Sequence, residues 1–416
     1  MDDRVPEDIL IVVFGNVLAF ESIEWPLPSY NKECARAPFT LAAVCSRWRH
    51  LVTQTSNLWS YFGFPSEETQ HEKHLYRLEL LITNSKNAPI DVVFNWRASS
   101  QCKFEDTPAS FDIITKLHMM CPRWRYAEIE YKSDHLKCSL GSRQLHDFEA
   151  PFLESLVIIF RGHVPQLPKA PRLRQIFLDS DASDVSFISP LQHPSLVRLI
   201  IWSQKFTYSQ PYCANHAQQL TYLCIIDDMY HSGNWEFPRL VSLTLDDPLF
   251  IDKITAPLIE RLAINCSDLN NMSRDAVQHF AHRAPLLTHL VLWGTIRSLI
   301  TLEPFKSTRT VVFQRPAAVT KAFGPARCYH LQPQVLEELN EREDDIVVWP
   351  NLERITFGQH SRSKGARCGI IVDDVLSFIE TRNSGRVATA QVSVAADFPG
   401  SAALFGKHTD VVQTLS

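Results

Sequence analysis

"FPRLVSLTL", residues 237–245, sets apolar side chains at Leu240, Leu243 and Leu245, the spacing L-x-x-L-x-L. Strand side chains alternate between faces, so positions four and six share one face and positions three, five and seven share the other. So short a strand buries nothing alone, and the pattern has physical sense only if copies of it stack. Seven copies surround it: "APFLESLVI" (150–158), "APRLRQIFL" (170–178), "HPSLVRLII" (193–201), "AQQLTYLCI" (217–225), "APLIERLAI" (256–264), "APLLTHLVL" (284–292) and "WPNLERITF" (349–357).

The first positions fall at 153, 173, 196, 220, 240, 259, 287 and 352, with steps of 19 to 28 residues through 287. That period and motif resemble the leucine-rich repeat. The last step, 65 residues, leaves room for two degenerate copies, one at "TRTVVF" (308–313). Weaker strands are expected upstream at "APIDVVFNW" (88–96) and at "CPRWRYAEIE" (121–130), the latter after the helix-like "FDIITKLHMM". Residues 369–394 read as a helix, a Ser-Gly turn and a closing strand, and "SRDAVQHFAHRAP" (273–285) as a helix capped by Ser273. The asparagine that usually follows such strands is replaced by Arg161, Asp181, Gln204, Asp228 and Pro248, so the array is irregular. The competing fold, an all-β sandwich, fits neither the Pro-Leu starts nor one strand per 20 residues.

Composition agrees with a folded chain: 45% hydrophobic and 21% charged over 416 residues. Net charge is -5, from 46 acids and 41 bases with no Lys/Arg block, which argues against nucleic-acid binding. Ten cysteines with no CxxC pair point to a reduced protein of the cytoplasm or nucleus, without structural zinc.

The apolar run "ILIVVFGNVLAF" (9–20) is too short to span a bilayer, and the acidic residues before it are unlike a signal peptide. Pro6, Glu7 and Asp8 suit a helix start, so a buried helix over 6–19 is expected, without membrane association. A loop is expected over 21–38, with three prolines, and a second helix over 39–54. In that helix Leu41, Val44, Cys45, Trp48, Leu51 and Val52 recur at three and four. Leu58, Trp59 and Phe62 then form an aromatic lid.

These residues resemble the F-box family, the helical module that docks on the Skp adaptor of cullin–RING ubiquitin ligases. Its Leu-Pro-x-Glu-Ile-Leu opening appears as "VPEDIL", with Val5 for leucine. Its Leu-x-x-Val-Cys-x-x-Trp-Arg stretch is intact at Leu41, Val44, Cys45, Trp48 and Arg49, and its Leu-Trp close stands at Leu58 and Trp59. The resemblance covers about residues 4–62, and the roughly twenty residues between Phe20 and Thr40 exceed the usual turn. It implies an adaptor-binding surface of Pro6, Ile9, Leu10, Phe14, Leu41, Val44, Cys45 and Trp48. A plain helical cap on the repeats is the bland alternative. The box-then-repeats layout also resembles a family abundant in mushroom-forming fungi.

The expected organisation is therefore an α/β chain: an F-box-like helical domain at 1–65, a connector at 66–110 and a leucine-rich-repeat-like solenoid at 111–416. On the face carrying positions three, five and seven lie Phe177, Arg198, Trp202, Tyr222, Arg261, His289 and Trp293, the candidate target-binding residues, unless a loop or the tail 395–416 covers them. Asp179 with Asp181, Asp227 with Asp228 and Asp246 with Asp247 end strands, either as plain terminators or as an acidic rim for a basic partner. No phosphate loop, nucleophile elbow or zincin spacing occurs, and "HEKH" (71–74) reads as a solvated helix start. No cofactor, metal site or catalytic residue is expected. Two functions follow: a non-catalytic receptor that holds a protein target for a cullin–RING ligase, or a repeat scaffold acting outside ubiquitination.

Overall fold

The computed structural model describes residues 5–18, 31–64, 71–94, 108–132, 149–161, 167–180, 193–203, 217–226, 234–267, 274–296, 298–314, 316, 330–331, 335, 349, 351–357, 391–395 and 411–414. The chain divides into two compact units, residues 1–196 with 203–212, and residues 197–202 with 213–416.

The first unit opens with helix α1 (Glu7–Leu18), whose first turn carries Glu7 and Asp8 and whose buried side is Leu10 and Phe14. Helix α2 (Lys32–Val44) starts at Asn31, whose Oδ1 accepts from the backbone N–H of Glu33 and Cys34. The expected loop over 21–38 therefore ends at Asn31. This cap and the alanines behind it outweigh Pro38, which sits inside the helix and is buried. The expected single helix over 39–54 is also two. Cys45 is extended (φ -157, ψ 171), and its Sγ accepts from Trp48 N at 3.4 Å to cap helix α3 (Ser46–Gln54). A 3-10 turn at Ser56–Trp59 follows, fastened by Trp59 Nε1 donating to Val52 O at 2.7 Å.

Five parallel strands complete the unit in chain order: β1 (Tyr61–Phe64), β2 (Ile90–Phe94), β3 (Trp124–Lys132), β4 (Ser155–Arg161) and β5 (Gln175–Ser180). Helix α4 (His71–Ser85) leads to β2 and α5 (Pro108–Met119) to β3, as parallel neighbours require. The ladder thus begins at Tyr61, upstream of the solenoid start expected at 111.

The second unit continues the same plan with β6 (Arg198–Ser203), β7 (Tyr222–Ile226), β9 (Ser242–Leu245), β11 (Arg261–Asn265), β12 (His289–Trp293), β14 (Thr310–Phe313), β16 (Arg354–Phe357), β17 (Gln391–Ala395) and β18 (Val411–Thr414). All nine are parallel, in chain order and unshifted in register. Short side ladders pair β8 (Trp235–Glu236) with β10 (Ile254–Thr255) and β13 (Thr295–Ile296) with β15 (His330–Leu331). Helix α6 (Arg274–Arg283) precedes β12, burying Val277 and Phe280; Ser273, its expected cap, lies outside the described residues, as do 369–390. Each of the eight motif copies carries a strand. "TRTVVF" supplies one degenerate repeat, but β14 pairs directly with β16, so the second that the 65-residue step allowed is absent from the ladder.

Two features of the motif explain the ladder. Before most of the motif strands, position one donates its N–H to the carbonyl three residues earlier, as Leu173 does to Ala170, Ile259 to Ala256, Leu287 to Ala284 and Leu352 to Trp349. Proline stands second in each of these turns, where its fixed φ suits a type I turn. Position-two carbonyls then accept two N–H groups from the next repeat at Glu154, Val197, Thr221, Val241, Glu260, Thr288 and Arg309, as Val241 O does from Glu260 and Arg261. Positions one, four and six make the core: Leu240, Leu243 and Leu245 are fully buried, as are Leu287, Leu290 and Leu292. Strand order, period and side-chain alternation make this a leucine-rich-repeat-like α/β solenoid.

Candidate interaction surfaces

The N-terminal helices have a committed inner side. Phe14 meets Trp48 edge-on with ring centroids 4.7 Å apart, and Phe39 meets Trp59 likewise at 5.3 Å. Arg47 Nη2 donates to Val5 O at 2.7 Å and its Nε lies 3.9 Å from Glu7, which fixes the start of α1 on α3. Arg77 of α4 donates to Ala35 O and lies over the Phe39 ring, so α2 is tied to the repeats as well as to its fellow helices. Cys34 and Ala35 pack on Tyr61 and Val93, covering the start of the first unit's sheet face.

Their outer side is apolar and bare. Val5, just before α1, is 37% exposed, Ile9, Val12 and Val13 of α1 are 50%, 61% and 49% exposed, and Val44 at the end of α2 is 55% exposed. Of the eight expected adaptor residues, Pro6, Ile9 and Val44 lie on the surface, Leu41, Cys45 and Trp48 are half-buried, and Leu10 and Phe14 are interior. Val5, Val12 and Val13 were not among them. Val12 and Val13 follow from the helical spacing of α1, which leaves more apolar residues than one buried stripe needs.

The second surface is the sheet face bearing positions three, five and seven. In the second unit, position five is a buried floor from β6 to β12, with Ile200, Cys224, Thr244, Ala263 and Val291, and is half-buried at Val312 and Thr356. Burial pushes the Cys224 thiol well above its ordinary pKa. Position seven is largely closed too, with Ile226 and Trp293 buried and Trp202 half-buried. Solvent reaches this face along position three, where the register lines up Arg198, Tyr222, Ser242, Arg261, His289, Thr310 and Arg354. Arg261, His289 and Arg354 are exposed and the others half-buried. Arg198 lies over the Tyr222 ring at 4.8 Å, and burial raises the Tyr222 pKa to about 12.

The seven candidate target residues are thus not equally open. Phe177, in the first unit, is 2% exposed and Trp293 is 3% exposed, so neither is open to a target. Flanking positions three and seven wall in the row between them, which strand alternation alone does not reveal. Arg354 joins the row although it was not singled out, and the same count from Leu352 places it.

Of the acidic strand ends, Asp181, Asp227 and Asp228 lie outside the described residues, and the described ones are engaged locally or buried. Asp246 Oδ1 accepts from Asn265 Nδ2 at 2.8 Å, Asp247 Oδ1 accepts from Leu249 N, and Asp179 is buried. "HEKH" opens α4 as a helix start, with Glu72 and Lys73 exposed, but it is not wholly solvated: His74 is buried against Phe64. Among the described residues no three His, Cys, Asp or Glu side chains are placed to hold a metal, and no helix is long and apolar enough to cross a membrane. Cys34, Cys45, Cys121, Cys224 and Cys266 form no disulfide.

No family model and no curated protein matches the chain. Among solved structures it is similar to CroV588, a circular leucine-rich-repeat protein, at 10% identity and a TM-score of 0.32, over 67% of this chain and 34% of that one. It is also similar to TLR13 in its complex with ssRNA13, at 13% identity and a TM-score of 0.31, over 56% of this chain and 34% of that one. The chain thus matches about a third of the length of either structure. The solenoid assignment stands on this chain's own strand order and register.

Proposed function

We propose that the protein is the target-holding subunit of a ubiquitin ligase of the Skp adaptor–cullin type. Its N-terminal helices dock the adaptor, and the open sheet face of the solenoid holds a protein target. The observation that carries the reading is the bare apolar surface of Val5, Ile9, Val12, Val13 and Val44, on helices whose sequence bears the F-box pattern. Contiguous apolar surface of that kind on a folded chain marks a docking site. Leu10, Phe14 and Trp48 hold the helices in place beneath it, and Pro6, Ile9 and Val44 meet the adaptor. The subunit carries out no bond chemistry; it raises the local concentration of target beside a separate enzyme. Such a receptor works in the cytoplasm or nucleus, and the box-then-repeats layout fits the fungal-type F-box proteins that the sequence resembles.

Calorimetry with the full chain and a purified Skp-type adaptor tests this. Binding is expected, and Ile9→Glu with Val44→Glu should weaken it at least ~10-fold, since loss of central apolar anchors commonly costs that much. Absence of binding by the folded wild type leaves the repeat scaffold acting outside ubiquitination as the reading.

A further inference from the structure

The open face of the second unit carries charge of one sign along one row. Arg198, Arg261 and Arg354 occupy position three on β6, β11 and β16, with His289 beside Arg261 on β12. The whole chain is acidic at -5, so this row runs against the overall balance. Among the described residues none of the three arginines has a carboxylate partner. Glu260 and Glu353 lie one residue upstream, at position two, and Glu353 is taken up by Arg309 at 3.3 Å. Arg198 is held over Tyr222, and its Nε is buried with no hydrogen-bond acceptor. A buried donor without an acceptor is uncommon in folded proteins.

We propose that this row binds an extended acidic segment of the target protein, its carboxylates meeting the guanidinium groups of Arg198, Arg261 and Arg354. The inference rests on the open face being the target site, and it adds the chemistry of what is recognised. Arginine suits the role because its planar fork matches a carboxylate with two parallel bonds. The ring of Tyr222 supports the Arg198 guanidinium from below, as aromatic faces do for cations. Spacing fits as well. β6 and β16 are six steps apart in the ladder. At about 4.8 Å per step the row is roughly 29 Å long, which an extended chain crosses in about nine residues at about 3.3 Å each. Positions five and seven beneath the row are mostly buried, so recognition is by charge and main-chain shape more than by an apolar pocket.

Fluorescence anisotropy with the full chain, without adaptor, tests it using labelled nona-glutamate, with nona-glutamine and a nine-nucleotide oligouridylate as comparators. Nona-glutamate should bind and nona-glutamine should not. Arg261→Gln with Arg354→Gln should weaken nona-glutamate ~10-fold, about threefold for each exposed charge lost. Arg239→Gln, at an exposed turn residue off this row, should change nothing. Equal binding of the two peptides, or an unchanged affinity in the double variant, overturns the proposal. So does tighter binding of oligouridylate through the same arginines, which would make the row a nucleic-acid site. Adaptor affinity measured on the same preparations separates the two readings. Lost peptide binding with adaptor retained rejects this inference alone, and the reverse rejects the ligase reading alone.

Discussion

The Trp48 indole stands edge-on to the Phe14 ring at 4.7 Å, so the tryptophan of the "VCSRWR" stretch is spent largely on joining α3 to α1. The docking role then falls to the residues outside this pair. Phe14 is almost fully buried, and Phe14→Ala should cost about 3–5 kcal/mol of stability. Ile9 and Val44 are at least half exposed, and changing either to Glu should stay within about 0.5 kcal/mol. Thermal melts of the three variants check this. Equal losses in all three would mean that the outer face is part of the core.

Leu243 and Leu290 sit at position four of their strands and are fully buried. Leu→Ala at either should lower stability by about 2–5 kcal/mol, read as a shift in the urea midpoint. Arg261→Gln, on the other face two residues away from the repeat's core position, should leave that midpoint in place. Midpoints unchanged for both leucines would contradict the register.

Gly294 ends β12 with φ +82, and a Cβ there would fall on Asn265 Oδ1. Gly294→Ala therefore meets both left-handed backbone strain and a steric overlap, and should destabilise by about 1–3 kcal/mol. Hydrogen exchange should show the loss first at Cys266 N, which donates to Trp293 O at 2.7 Å beside the glycine. Undiminished protection of that amide would count against the tight packing here.

His118 lies in the interior against Trp124, and burial lowers its pKa from 6.5 to about 3. The unfolded chain takes up the proton below about 6.5 and the folded chain only below about 3. The stability that His118 contributes is therefore complete above pH 6.5 and is lost as the pH falls towards 3, by up to about 1.4 kcal/mol per pH unit. Urea midpoints from pH 7 to 4 should fall more steeply for the wild type than for His118→Gln. Parallel slopes would show that His118 is accessible to protons in the folded state.

Most of the solenoid was legible because its signal is doubly redundant. The apolar spacing recurs, and Ala-Pro or its equivalent precedes it, so Leu240 and Leu287 could be placed without any structure. The front helices were legible as helices but not in their boundaries. The break depends on Cys45 turning its Sγ back to Trp48 N, a local bond that residue type does not announce. Asn31 was a visible cap, masked by the prolines around it. The open face was legible by register but not by exposure. Trp293 and Phe177 share the alternating face yet are buried, which the residue pattern of a single strand does not reveal.

Affinity purification of the full chain from proteasome-inhibited cells, with the Skp adaptor and the cullin quantified by mass spectrometry, tests the central claim most directly. Both should accompany the wild type and fall at least ~10-fold with Ile9→Glu and Val44→Glu, while Arg261→Gln with Arg354→Gln leaves both in place. A folded wild type that brings down neither adaptor nor cullin, or a double Glu variant that retains both in full, would contradict the account.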